Sequence, residues 1–175
     1  MINLVLFNST LLMTYSHILS FILYNPFNPL LTFIYILGIY TSIINHGIQN
    51  ELMKYMDRVT MFFGFFIDLY FIREIYLNTR KSQNNKIFII IIILLIFSTS
   101  LFFLSKFVKN KYKDINNDIN NDINNDINND INNDINNDIN NDVSNYNFIG
   151  NCLHVGAHIF ISLTHVYIIR EYATY

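Results

Sequence analysis

Apolar residues dominate the first fifty positions, and none of those positions is Asp, Glu, Lys or Arg. The run INLVLFNSTLLMTYSHILSFILY at 2–24 is long enough to cross a hydrocarbon core of about 30 Å, which takes about 20 helical residues. The segment NPFNP then interrupts it, and Pro26 and Pro29 suit a tight interfacial turn between two helices. A second span follows at 30–48, then a short polar turn, QNELMKY, then a third span at 56–77. That third span is the least clean, because Asp68 lies inside it and Arg73 and Glu74 lie near its end. IFIIIIILLIFSTSLFFLS, between Lys86 and Lys106, is the clearest span, and a last one runs from Asn147 to Ile169. The pattern predicts an all-α, multi-pass integral membrane protein of about five transmembrane helices, with a low-complexity loop before the last.

That loop is a perfect tetrapeptide repeat. DINN recurs from Asp114 to Asn141, and Asp142 opens an incomplete further copy. Asn and Asp are poor helix and strand formers, and one Ile in four builds no core. The expected organisation is a four-helix membrane region at 1–113, a disordered tether at 114–142 and a last membrane helix at 143–175. A solenoid or a long helix over the repeat stays open. A calcium array is disfavoured, since calcium loops use Gly and irregular ligand spacing.

Composition agrees with the span pattern. The chain of 175 residues is 52% hydrophobic and 14% charged, where soluble domains carry about 25% charged residues. Net charge is −2, most of the acid sits in the repeat, and the remainder is basic. The cations cluster at helix ends without an aromatic-laced patch, so no nucleic-acid partner is expected. They also fall on both sides of the membrane, so orientation is not set by them. The single cysteine, Cys152, precludes an internal disulfide. The first apolar run lacks a basic leader and a cleavage site and reads as a retained helix. Asn8 opens an NST sequon, but inside the first span it is expected to be inert.

Ionisable groups inside a span are costly and point to function. Ser42 and His46 share a helix face at i, i+4, about 6 Å apart along the axis. Asp57 opens the next helix. His154 and His158, in HVGAH near the start of the last span, have the i, i+4 spacing that lets two imidazoles share a metal. Counting spans places all five residues on the side where the first helix begins, and at similar depth. Asp68 lies eleven residues beyond Asp57, nearly in phase and about 16 Å deeper. It is expected either to face a cavity or to pair with another buried polar group. His165 is expected as a packed core residue or a partner of the site, and His17 as a packed or interfacial residue.

Ser in SxxxH, an Asp opening the next helix and HxxxH in the last helix resemble the marks of the CREST superfamily. That group contains alkaline ceramidases, GPI-anchor lipid remodelling proteins and the adiponectin-receptor and haemolysin III-like proteins. The short spacing from His46 to Asp57 is most similar to the first two branches. The resemblance implies zinc held by His46, His154 and His158. It implies Asp57 as the base that holds the zinc-bound water, and Ser42 as support for the polarised substrate or the water, the substrate being a lipid amide or ester. The superfamily fold has seven helices against the five spans expected here. Loss of a helix pair would keep the site on one side, and a second copy of the chain or lipid would then complete the cavity wall. A non-catalytic membrane scaffold is the alternative function. A haem protein would leave Asp57 and Ser42 without purpose, and a transporter would be expected to show repeated spans.

Overall fold

Asn25 stops the first helix. It takes a left-handed conformation, φ 44°, and its N–H closes on the Phe21 carbonyl at 2.9 Å, the arrangement of a helix C-terminus. Three residues on, the Asn28 side chain accepts the Leu31 N–H at 3.0 Å and caps the next helix, with Pro29 in its first position. The computed structural model describes residues 4–26, 28–48, 50–82, 85–125 and 132–174, with side chains described except at 79–85 and 112–145. Those residues form α1 (Leu4–Tyr24), α2 (Pro29–Ile48), α3 (Glu51–Ser82), α4 (Asn85–Asn125) and α5 (Asn132–Ala173), with no strand among them.

Four helices carry segments long and apolar enough to cross a membrane: Leu4–Tyr24, Pro29–Ile48, Lys86–Lys111 and Tyr146–Ala173. α3 is long enough but carries Asp57, Arg58, Asp68, Arg73 and Glu74. The polar turn expected at QNELMKY is shorter than its polarity suggested. Asn50 accepts the Leu52 N–H at 2.8 Å, and α3 starts at Glu51, a favourable charge for a helix N-terminus. The flanks of the repeat, 114–125 and 132–142, extend α4 and α5 as helical backbone, and its centre at 126–131 lies outside the described residues. Propagation from a formed membrane helix needs no new nucleus, so weak formers can follow it.

Hydrogen bonds between helices give their directions. Ser9 meets His158 and His17 meets His165, so α1 and α5 run parallel. Tyr35 meets Asp68 and Asn45 meets Asp57, so α2 and α3 run antiparallel. Ser105 donates to the Gly150 carbonyl at 2.7 Å and Ser98 to the Ala157 carbonyl at 3.0 Å, so α4 and α5 are antiparallel too. Gly156 lets these two helices close in, since a Cβ there would stand 3.1 Å from Leu101. Small residues and interhelical hydrogen bonds are what hold helices together where lipid removes the hydrophobic drive.

The alternation gives the bundle two unlike ends. Leu31, Tyr35, Phe71, Ile75, Ile91, Leu95, Ile168 and Ile169 pack a dry core near the α1–α2 turn. The opposite end gathers Asn45, His46, Asp57, His154 and His158. Large side chains such as Leu12, Ile22, Phe33, Ile96 and Phe103 point outward. An apolar exterior around a partly polar interior suits lipid as the surrounding solvent.

Candidate metal centre

His46 ends α2, and His154 and His158 lie one turn apart on α5. One ligand atom from each falls within 4.8 Å of the other two. The ring centroids of His46 lie 5.3 Å from His154 and 5.4 Å from His158, and those of His154 and His158 are 4.7 Å apart. Three imidazoles within this reach could hold a metal ion.

The two buried rings show how well the set fits a cation. Ser9, on α1, bonds the Leu6 carbonyl at 2.8 Å and His158 Nδ1 at 2.9 Å, and with its one hydroxyl proton on the carbonyl it accepts from the imidazole. His158 Nε2 is then the lone pair left for a ligand, the arrangement in which an outer hydroxyl fixes the tautomer of a metal histidine. His46 Nε2 is the one buried side-chain nitrogen or oxygen among the described residues without a hydrogen-bond partner. Leaving such an atom unpaired costs about 1–3 kcal/mol. A metal ion at the meeting point of the three rings would satisfy it.

Asp57 is 5% exposed and stands outside the histidine set, in the wall beside it. Asn45 Nδ2 donates to one of its oxygens at 2.7 Å, and Thr41 approaches the other at 3.4 Å. Thr41 also bonds the Leu37 carbonyl at 3.0 Å, so Asn45 is the stronger anchor. Ser42 is buried beside Thr10, with 3.5 Å between the hydroxyl oxygens. The five residues singled out in the sequence thus share one end of the bundle.

Two cavities meet at that end. A chamber of about 550 Å³ reaches from His158, Ser42 and Asp57 down to Tyr35, Asp68 and His165, between mainly apolar walls. A vestibule of about 350 Å³ opens over His46 and His154 and shares Asp57, Arg58, Met61, Phe102 and Lys106 with the chamber, so these residues stand where the two cavities meet. The chamber volume lies within the 300–1,000 Å³ typical of small-molecule sites.

Asp68, His165 and His17 form a second polar group, separate from the metal candidates. His17 Nδ1 bonds the Met13 carbonyl at 2.7 Å, and its Nε2 lies 2.7 Å from His165 Nδ1. His165 Nε2 lies 3.0 Å from Asp68 Oδ2, while Tyr35 donates to Asp68 Oδ1 at 2.9 Å. The carbonyl only accepts, so His17 Nδ1 carries a proton, and a neutral His17 accepts from His165 Nδ1–H. Two lone pairs cannot bond each other, so one proton lies between His165 Nε2 and Asp68, on either partner. Asp68 therefore both pairs with buried polar groups and lines the cavity. His17 is a linked member of this network.

Sequence reasoning missed Ser9 and Asn45. Ser9 had a signal: Ser9, Met13, His17 and Ser20 recur on one face of α1, and that face is buried. Asn45 sits beside His46 with nothing in its spacing to mark it.

The chain matches no family model, no curated protein and no solved structure. The functional reading therefore stands on this geometry and on the motif resemblance.

Proposed function

We propose that the protein is a zinc-dependent transmembrane hydrolase of a lipid amide or ester, with α3 as a fifth membrane span. The convergence of His46, His154 and His158 is the observation that carries it. Asp57 and Ser42 beside an apolar chamber add to it. The charges of α3 are tolerable in a span because Asp57 and Asp68 are bonded to neighbouring helices.

His46, His154 and His158 would hold the metal. Bound zinc supplies Lewis acidity, which polarises a carbonyl and acidifies water. Ser42 donates a hydrogen bond to the substrate carbonyl oxygen. The chamber takes the acyl chain and excludes bulk water from it. Asp57, held by Asn45, accepts a proton as water adds to the carbonyl carbon. It returns that proton to the departing nitrogen or oxygen as the C–N or C–O bond breaks. The products are a fatty acid and an amine or alcohol.

The second reading is a non-catalytic membrane scaffold, possible as a monomer or a homo-oligomer. It is favoured by five helices against the seven that the superfamily resemblance implies. Purified, zinc-supplied protein tested against a ceramide and a glycerophospholipid separates the two. Hydrolysis is expected from wild type and is expected to fall about 10²–10⁴-fold in Asp57→Asn. No turnover on any acyl amide or ester would favour the scaffold, whereas turnover unchanged by Asp57→Asn would refute the role of Asp57 as base.

A further inference from the structure

The vestibule walls contain more positive charge than the proposed chemistry uses. Arg58, Lys106 and Lys109 all line it, together with Lys54. Lys54 is paired with Glu51 at 3.2 Å. The ion pairs among the described residues are Lys54–Glu51, Arg73–Glu74, His165–Asp68 and Arg170–Glu171, so none of the described carboxylates lies at salt-bridge distance from Arg58, Lys106 or Lys109.

Two of these cations are fixed by packing. The Lys109 stem crosses Gly150 of α5 so closely that a Cβ there would stand 2.8 Å from Lys109 Cγ. The stem leads into the same wall that holds His46 and His154. Lys106 lies over the Phe102 ring, 4.5 Å from the centroid, and Arg58 lines the same wall. A divalent cation on the three neutral imidazoles would add two more positive charges. Asp57 and the already paired Glu51 are the carboxylates in this wall. Such an excess of like charge in a partly desolvated wall is stable when an anion joins it.

We infer that Arg58, Lys106 and Lys109 form an anion subsite beside the histidine cluster, which takes the phosphate of an anionic lipid headgroup. Arg and Lys at such a site give charge-assisted hydrogen bonds to phosphate oxygens. The two cavities arrange the same amphiphile: phosphate in the vestibule, acyl chain in the chamber, and the acyl linkage near the histidines. That this lipid is the substrate rests on the hydrolase reading, whereas its binding does not.

The test is equilibrium binding to the full-length protein in a neutral detergent, both zinc-supplied and chelator-treated. The probes are dihexanoyl phosphatidic acid, dihexanoyl phosphatidylcholine, a short-chain ceramide and inorganic phosphate. Phosphatidic acid is expected to bind at least about tenfold tighter than the zwitterionic and neutral lipids, and to weaken with salt. Lys109→Gln is expected to cost about tenfold. Gly150→Ala, which keeps every charge but displaces the Lys109 stem, is expected to weaken binding as well. Lys111→Gln serves as the control. It lies on the same membrane side but contacts Tyr146 and does not line the vestibule, so it is expected to bind normally. Equal losses in the Lys109 and Lys111 variants would overturn the subsite in favour of general surface attraction. Inorganic phosphate binding as tightly as phosphatidic acid would overturn the lipid assignment in favour of a free anion. Lys109-dependent lipid binding without any hydrolysis would refute the hydrolase reading and leave the subsite standing.

Discussion

Ser9→Ala removes one oxygen from a helix that contributes no metal candidate, yet it should weaken metal binding. The Ser9 hydroxyl spends its proton on the Leu6 carbonyl and accepts from His158 Nδ1 at 2.9 Å. Without that acceptor, a buried imidazole N–H is left unpaired, and the neutral ring is free to move its proton to Nε2. The ring then offers the metal the wrong nitrogen for part of the time. Loss of such an outer partner costs about 10–100-fold in metal affinity, or about 1.4–2.8 kcal/mol. The assay is competition between the purified protein and a chromophoric chelator of known zinc affinity, with helicity checked by circular dichroism. Ser16→Ala is the control, because Ser16 bonds Ser162 on the same helix pair, one turn beyond His158, and neither hydroxyl bonds His46, His154 or His158 among the described hydrogen bonds. Affinity in Ser9→Ala within about twofold of wild type would refute the tautomer argument, since even the lower bound is tenfold.

The buried proton network gives a paired prediction. Asp68→Asn accepts from Tyr35 and donates to a neutral His165, so every bond survives without the extra proton, and stability should change by less than about 1 kcal/mol. Asp68→Ala orphans both partners and should cost about 3–5 kcal/mol. Thermal or detergent unfolding checks both, and equal damage from the two would refute the donor assignment. His46→Leu should abolish metal binding yet raise the stability of the metal-free protein by about 1 kcal/mol or more, because the unpartnered Nε2 is removed. A metal-free His46→Leu protein less stable than wild type would show that His46 has a packing role instead.

The meeting of the five candidate residues at one end of the bundle was legible because alternating helix direction turns sequence order into position. Each apolar run reverses direction, so SIINHGIQNELMKYMD and HVGAH had to meet at one end if the spans were counted correctly. The i, i+4 spacings then fixed which faces carried the side chains. Helix limits were less legible: α3 begins at Glu51 because Asn50 caps it, and polarity alone read those residues as turn. The Asp68–His165–His17 network was out of reach because its members come from three helices, and their spacing carries no record of which helices touch. Lys109 was hidden for a similar reason. On α4 it is one of several cations at a helix end, and its passage over Gly150, distant in the chain on α5, into the wall with His46 and His154 carries no mark in the spacing.

The central claim is that His46, His154 and His158 hold a zinc ion. The most direct test is the zinc content of the detergent-purified full-length protein, measured beside a His154→Ala, His158→Ala double variant. The account predicts about one zinc per chain in wild type and none in a folded double variant. Folded wild type that leaves a zinc-supplied preparation without zinc, or a double variant that retains it, would contradict the account.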